Sequence, residues 1–569
     1  MFSLKMVREI SCAGWRTMSK KKHFSMWSGV RIFALLIFAL FFLYPVVNLF
    51  VQCLFDLKTG AVSFENFQKF FSKPYYYRTF FNSLKVTCCV TVLAMLVGMP
   101  LAYITKSCKI YGLPVINVIV IMSILSPPFV GAYSWILLLG RNGAITNFLN
   151  DVFGIHYGGI YGFSGILLVF TIQLYPLIYL YVSGALKNMD SSLDEASESL
   201  GCTGVRKIFK VIIPLILPTM LAGGLLVFMR AFSDFGTPML IGEGYRTMPV
   251  LIYDSFISEM GGNSGFAAAL SLMVVVFTTI LFLGQKYFSN RKGFTMAATK
   301  PMEPKKLKGW KNVVAHIFVY LIALITVLPQ ATVMYTSFKN VSSSGAVFME
   351  GYSFVSYKNV FSKLGDSIVN TFVFSLVALA IILVLGLTIS YVVTRKRSAV
   401  TSVLDVIVML PYVIPGSIIG IALLLAFVKG PVILSGTAAI IIIAYVIRRL
   451  PYTIRSSAAI LQHISPSTEE AAISLGASTA KTFVKVTVPQ MMPGVISGAM
   501  LSWMTIISEL SASVLLYTAS TKTVTIAIYT EVVYGNYGNA AALATTLLVL
   551  TLGALLLFFK ISGRRDIDL

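Results

Sequence analysis

The chain has 569 residues, of which 57% are hydrophobic and 12% charged, and its mean hydropathy is +0.83. A soluble globular domain carries roughly 25% charged residues, so this composition excludes an ordinary water-soluble fold. The formal charge of +23 would suit a nucleic-acid partner in a soluble protein. Here lysine and arginine cluster between apolar runs, so contacts with membrane lipid are expected and no nucleic-acid partner is.

Apolar runs of about 20 residues, long enough to cross a bilayer core as helices, recur along the chain. They are continuous rather than alternating, which predicts α-helices and not a β-barrel. The predicted fold class is therefore an all-α integral membrane protein. Twelve transmembrane helices are predicted, at residues 31–54, 80–104, 113–139, 161–185, 212–233, 265–285, 313–336, 367–392, 402–427, 433–454, 488–510 and 541–560. The bias of basic residues toward alternate loops places both termini in the cytoplasm.

The chain is an internal duplication, in which prolines and glycines recur at a constant offset of 275 residues. Pairs in register include Pro176 with Pro451 and Pro214 with Pro489. This repeat predicts two homologous six-helix halves. The predicted segments are a cytoplasmic N-terminal arm at 1–30, a first half at 31–285, a cytoplasmic linker at 286–312 and a second half at 313–569.

The densest repeat lies in the loop after the fourth span of each half. It reads DEASESLG from Asp194 to Gly201 and EEAAISLG from Glu469 to Gly476. The acidic pair that opens each copy favours the positive end of a helix dipole, and the closing glycine suits a helix stop. A proline thirteen residues later is predicted to lie at the start of the next span, where a missing N–H is tolerated.

Both loops resemble the EAA motif of ABC importer membrane subunits, with Ser197 in the first copy where the pattern has alanine. The resemblance implies the type I ABC importer permease fold, with loops 194–214 and 469–489 each seated in a cleft of one ATPase subunit. Two copies of an ABC ATPase subunit are therefore implied. The residues that the resemblance assigns to ATPase coupling are Asp194, Glu195, Ala196, Gly201, Glu469, Glu470, Ala471 and Gly476.

Nothing in the sequence predicts an enzyme. The chain contains no Gly-Lys pair and so no phosphate-binding P-loop. Its four histidines and six cysteines lack metal-ligand spacing, and neither a metal site nor a bound cofactor is expected. The resemblance implies that ATP and magnesium bind to the partner subunits, that an external solute-binding protein delivers the substrate, and that the chain resides in a bacterial inner membrane.

Two stretches, SDFGTPMLIG at 233–242 and RRLPYTIR at 448–455, are similar to ferric iron permeases in particular. This resemblance implies ferric iron as substrate, with thiamine, a polyamine or a phosphonate as alternatives. A more remote alternative is an ion-gradient-driven secondary transporter, which also has twelve spans in two halves. That class carries a Gly- and Arg-rich loop between its second and third spans, where this chain has only TKSCKIYG at 105–112.

Asp234 and Glu509 are candidate residues of the substrate path, because they share the 275-residue offset and ionisable groups near a membrane interior are costly. Two facing carboxylates could pass a cation inward. The alternative is structural: Asp234 pairs with Arg230 one turn earlier, and Glu509 caps or pairs locally. The arginines of the 448–455 stretch are predicted to reach lipid phosphates from the cytoplasmic end of their span.

Overall fold

The computed structural model describes residues 26–55, 61–257, 264–291, 304–306, 309–340, 350–429 and 432–562. Helices dominate these residues, and the loops between them contain isolated β-bridges. The predicted all-α class is confirmed. Residues 1–25, most of the predicted N-terminal arm, lie outside the described residues.

The described residues of the first half form twelve helices, of which α1 and α9 each include one π-helical turn. They are α1 (Met26–Leu54), α2 (Glu65–Ser72), α3 (Pro74–Ser107), α4 (Leu113–Leu125), α5 (Pro128–Leu139), α6 (Ala144–Phe153), α7 (Gly162–Lys187), α8 (Ser191–Ser199), α9 (Gly204–Ser233), α10 (Gly236–Ile241), α11 (Met248–Ile257) and α12 (Ser264–Arg291).

The second half repeats this order, without a described counterpart of α6 and with a 3-10 turn at Ala519–Thr521. Its helices are α13 (Trp310–Ser337), α14 (Val355–Lys363), α15 (Gly365–Arg395), α16 (Ala399–Val413), α17 (Gly416–Phe427), α18 (Ala438–His463), α19 (Ser467–Ser474), α20 (Thr479–Ile507), α21 (Ser513–Leu516), α22 (Val524–Val533) and α23 (Tyr537–Ser562).

Among the described residues, nine helices are long and apolar enough to cross a bilayer, or eleven when each of two bent helix pairs counts as one span. The one predicted span that fails this criterion, at residues 433–454, corresponds to α18, a helix of 26 residues that contains three arginines. These charges lower its hydropathy. Helices therefore occur at all twelve predicted positions, although α18 differs in character from an ordinary lipid-facing span.

Two predicted spans are not continuous. Residues 113–139 form α4 and α5, and the chain bends by 104° between them; residues 402–427 form α16 and α17, with a bend of 108°. Proline is the cause in each case, because Pro127 and Pro415 fix the backbone at the break and disfavour a helical conformation in the residue before them. The two prolines are 288 residues apart, which is the offset that also separates Asn82 from Asn370 and Tyr103 from Tyr391 in the earlier part of each half, so the break is part of the repeat.

Several spans begin or end beyond their predicted limits. The first starts at Met26 rather than at residue 31, and α12 continues to Arg291, six residues into the predicted linker. The fifth and eleventh spans begin inside the EAA-like loops at 194–214 and 469–489, with Gly204 and Thr479 as their first residues. The apolar run in the sequence marks only the part of each helix that is strongly hydrophobic, whereas the hydrogen-bonded helix is longer.

The prolines after the two EAA-like loops lie about ten residues inside their helices, not at the first turn as predicted. A π-helical turn precedes each one, at Ile208–Ile212 before Pro214 and at Phe483–Thr487 before Pro489. The wider turn accommodates a proline ring that lacks an N–H and would clash with the preceding carbonyl. The helix thereby runs unbroken from the loop into the span.

Each half is built around three tightly packed helices, α3, α7 and α9 in the first and α15, α18 and α20 in the second. Glycines at repeated positions allow this approach. A Cβ on Gly98 would lie 2.7 Å from the carbonyl oxygen of Tyr175, and a Cβ on Gly498 would lie 2.6 Å from the Cα of Thr453. The first helix of each half also crosses over, since α1 packs against α15 and α17 while α13 packs against α4 and α5.

Replacing Gly498 by alanine is expected to lower the melting temperature of the protein in detergent, because the added methyl group would meet the α18 backbone. Overpacking of this kind costs about 1–3 kcal/mol. Gly553→Ala in α23 is the matched control, since a Cβ there meets nothing within 4 Å. Equal melting temperatures for the two variants would contradict the close α18–α20 packing.

Candidate functional site: a charged cavity between the two halves

A cavity of about 200 Å³ lies between the two halves. One water molecule needs roughly 10–15 Å³, so the cavity can hold a solute with its hydration. Its charged, amide and phenolic side chains come from α7, α9, α16 and α18 and from the turns that follow α9 and α20. They are Gln173, Arg230, Asp234, Tyr412, Arg448, Arg449, Tyr452 and Glu509.

The two broken spans meet at this cavity. Ile124 and Ser126 line it from the α4–α5 break, and Tyr412 and Ile414 line it from the α16–α17 break. Discontinuous helices of this kind are a recurrent way to build a transport site, because irregular backbone within a membrane is tolerated only where protein or a water-filled cavity surrounds it. The position of the breaks therefore indicates a substrate path.

Glu509 is buried, with 3% of its side chain exposed, and forms ion pairs with both Arg448 and Arg449. It also accepts a hydrogen bond of 3.1 Å from the N–H of Ala512, which begins the turn into α21. The Arg448 guanidinium lies so close to Gly416, the first residue of α17, that a Cβ there would be 2.6 Å from Nη1. One carboxylate thus connects α18, α20 and α21.

Asp234 occupies the equivalent position in the first half and accepts a hydrogen bond of 2.9 Å from the N–H of Thr237. No ion pair joins Asp234 to Arg230 among the described side chains, so that predicted pairing is wrong. Arg230 instead donates a hydrogen bond of 3.2 Å to the Tyr452 hydroxyl, which belongs to the other half. For Glu509 the predicted local cap is present, but its ion pairs are with arginines of α18 and are not local.

The prediction that the arginines of α18 reach lipid phosphates is wrong for Arg448 and Arg449, which lie at mid-helix and face the cavity. The helix continues beyond these arginines to His463. Its polar residues Thr453 and Ser457 are buried in protein rather than exposed to lipid. Arg455, further along, forms an ion pair of 3.2 Å with Asp405 of α16.

The two EAA-like segments form matching short helices. In α8, the Asp190 side chain caps the start by accepting from the Ser192 N–H at 2.9 Å. Both helices end in the predicted way at Gly201 and Gly476, which have φ values of +74° and +85°. After each glycine, the next N–H donates a hydrogen bond to the carbonyl five residues earlier, as in a Schellman stop. The pairs are Cys202 with Ser197 and Ala477 with Ala472.

The exposed face of these helices carries most of the predicted coupling residues. Glu195, Ala196, Glu470 and Ala471 are exposed, as are both glycines. The backbone of Asp194 lies in α8, but its side chain lies outside the described part of the structure. Glu469 is the exception, because it is largely buried against α15, where it accepts from the Tyr391 hydroxyl at 2.7 Å and from Arg395 at 3.2 Å.

In the first loop the anchoring carboxylate is Glu198. It pairs with the buried ammonium of Lys207 at 2.8 Å and with Lys305 of the linker at 3.4 Å. The hydrogen bond and positive charge of Lys207 lower the pKa of Glu198. The Lys305 N–H also donates a hydrogen bond to the Ser107 carbonyl at the end of α3. The described linker segment at 304–306 therefore lies beside the first loop.

Residues 91–294 and 382–561 both match the family of binding-protein-dependent transport system inner membrane components. The chain belongs to this family. Similar curated proteins include the ferric transport system permease protein FbpB of Actinobacillus pleuropneumoniae, 27% identical over 94% of this chain and 78% of that protein. The putative ferric transport system permease protein FbpB 1 of Haemophilus influenzae is 27% identical over 86% and 77%, respectively. The molybdenum transport system permease protein ModB of the same species is 29% identical but covers only 37% of this permease.

Sequence reasoning missed two features of the permease. The first is an apolar tip on each loop, formed by Leu200 and Leu475, which are 87% and 89% exposed. Their position just before the repeated glycine could have identified them. The second is the pair of broken spans, for which the prolines 288 residues apart were an available signal.

Among the described residues of the permease, no group of three or more His, Cys, Asp and Glu side chains lies close enough together to hold a metal ion. The cavity combines three arginines with two carboxylates. Its chemistry therefore suits contact with a charged solute in passage rather than a multidentate metal site of the kind found in metalloproteins.

The Glu509→Gln substitution is expected to destabilise the permease by about 3–5 kcal/mol, because it leaves two buried arginines without their shared counter-ion. Asp234→Asn should cost less, since Asp234 accepts a hydrogen bond from a backbone N–H and forms no ion pair among the described side chains. Adding Arg448→Gln to Glu509→Gln should restore part of the lost stability, because glutamine is the residue at the equivalent position 173. Melting temperatures in detergent measure all three effects, and equal losses for the two acidic variants would contradict this assignment.

Proposed function

We propose that this chain is the complete translocation unit of an ATP-driven importer for ferric iron delivered by an external binding protein. The observation that carries the proposal is similarity along nearly the whole fused chain to permeases whose names specify ferric transport. Thiamine, polyamine and phosphonate import remain the alternatives for the test below.

Coupling to ATP hydrolysis would occur through α8 and α19, each seated on one of two separate ATPase subunits, while the permease itself catalyses no reaction. The exposed Glu195 and Glu470 and the apolar tips at Leu200 and Leu475 support this proposal. In this arrangement both loops and both chain termini lie on the cytoplasmic side of a bacterial inner membrane.

Motion of a loop would reach the cavity through one continuous helix. The helix α9 has 30 residues and α20 has 29, so each is about 45 Å long at a rise of 1.5 Å per residue. Each begins just after an EAA-like segment and ends one or two residues before Asp234 or Glu509. Rigid-body movement of these helices would open the cavity to one side of the membrane at a time.

The substrate is tested by ATP-dependent uptake into proteoliposomes that contain the permease, its ATPase subunit and its binding protein. Ferric iron is expected to accumulate, whereas thiamine, a polyamine and a phosphonate are not. Uptake of another of these ligands would keep the importer and reject iron. Uptake that persists without the ATPase would reject the importer in favour of a gradient-driven transporter.

Charge reversal at both coupling loops, Glu195→Lys with Glu470→Lys, is expected to reduce ATP-dependent uptake at least tenfold, because one side chain in each docking surface is altered. Vesicle content of the permease should not change, since both residues are exposed. The matched control is Asp151→Lys in α6, an exposed acidic residue outside the loops. Normal uptake by the double variant would contradict the coupling role.

Neutralising both candidate path residues, Asp234→Asn with Glu509→Gln, is expected to lower uptake by about tenfold or more through loss of charges that line the cavity. Because Glu509→Gln also destabilises the fold, uptake is normalised to correctly folded permease measured by size-exclusion chromatography. Unchanged normalised uptake would remove both residues from the path.

A further inference from the structure

The charges that line the cavity are not those expected for a bare cation. Three arginines face two carboxylates there, an excess of one positive charge. Both oxygens of Glu509 are engaged by arginines, and Asp234 accepts from a backbone N–H. A trivalent cation without ligands would therefore meet net repulsion, which is strengthened inside a membrane because charges are poorly screened there.

Hydrogen-bonding capacity remains on the positive side of the cavity. The Nε atoms of Arg448 and Arg449 are buried and have no hydrogen-bond partner among the described residues. Among the described residues, the Arg230 guanidinium donates one hydrogen bond, to the Tyr452 hydroxyl. Buried donors of this kind are costly unless something pairs with them, and guanidinium groups match the geometry of carboxylate and phosphate oxygens.

Gln173 extends the same surface from the first half, at the position equivalent to Arg448. Its Oε1 atom is buried without a partner in the described structure, and its side chain lines the cavity. A glutamine amide supplies both a donor and an acceptor. The cavity therefore presents guanidinium groups and one amide to a solute, with hydroxyl groups of Tyr412 and Tyr452 beside them.

We propose that the cavity takes the ferric ion together with a bound oxyanion, and that Arg230, Arg448 and Arg449 bind the anion oxygens. The proposal rests on the proposed function, since it specifies the form in which iron crosses. An oxyanion of the phosphate or carboxylate type would cancel the repulsion between the cation and the arginines. The metal would keep its anion as ligand, which explains how a path without a metal-binding cluster in its described residues can carry iron.

The test uses proteoliposomes that contain the full permease, its ATPase and its binding protein, with the binding protein loaded with ⁵⁵Fe and, in separate arms, ³²P-phosphate, ¹⁴C-citrate or ¹⁴C-carbonate. In at least one arm both labels are expected to enter in a fixed ratio and only with ATP. Iron that enters without any of the three anions would overturn the proposal. An anion that enters at the same rate without iron would also overturn it. No iron uptake in any arm would instead reject the proposed function.

The Arg230→Gln variant should lower entry of both labels about tenfold, the value of one hydrogen bond to a charged group. Arg230→Lys should retain part of it, because the charge remains but the planar fork is lost. Arg455→Gln in α18, which removes an arginine outside the cavity lining, is the matched control. Equal effects of Arg230→Gln and Arg455→Gln would contradict anion binding by Arg230. ATPase stimulation by the loaded binding protein reports separately that each variant is folded and coupled.

Discussion

The burial of Glu509 between Arg448 and Arg449 is the interaction on which the shape of the cavity depends. These charges would be prohibitively costly in lipid, and each is tolerated because the others neutralise it. The pairing holds α18 against the end of α20, and the close fit of Arg448 to Gly416 fixes the broken span beside them. A charged solute path can therefore exist at the interface of two otherwise apolar halves.

The duplication is strict where helices must approach or end, and relaxed where solute is contacted. Glycines, π-helical turns and helix stops recur in both halves. In the cavity the carboxylates Asp234 and Glu509 correspond, whereas Gln173 occupies the position equivalent to Arg448. Arg230 also differs, since it donates to Tyr452 across the interface. A pseudo-symmetric scaffold thus gives two equivalent EAA-like loops and one asymmetric cavity, and α9 and α20 each lead from a loop to a cavity carboxylate.

The fold class, the two halves and the short loop helices could be predicted from the sequence, since apolar length and repeated Pro and Gly are local signals. The bends at Pro127 and Pro415 were not predicted, because a continuous apolar run conceals a break in its backbone. The position of Arg448 was also missed. Hydropathy assumes that a span faces lipid, whereas α18 is enclosed by protein and can carry arginines along its middle. Arg230 contacts Tyr452 of the other half rather than the nearby Asp234, and that choice of partner depends on tertiary structure, which no local signal in the sequence reveals.

The central claim is that one polypeptide supplies both docking surfaces, so that a single chain works with two ATPase subunits. Native mass spectrometry of the complex purified from membranes tests this most directly, because it counts subunits without reference to substrate. One permease chain with two ATPase copies is the predicted composition. A complex with one permease chain and one ATPase copy, or with two of each, would contradict the account.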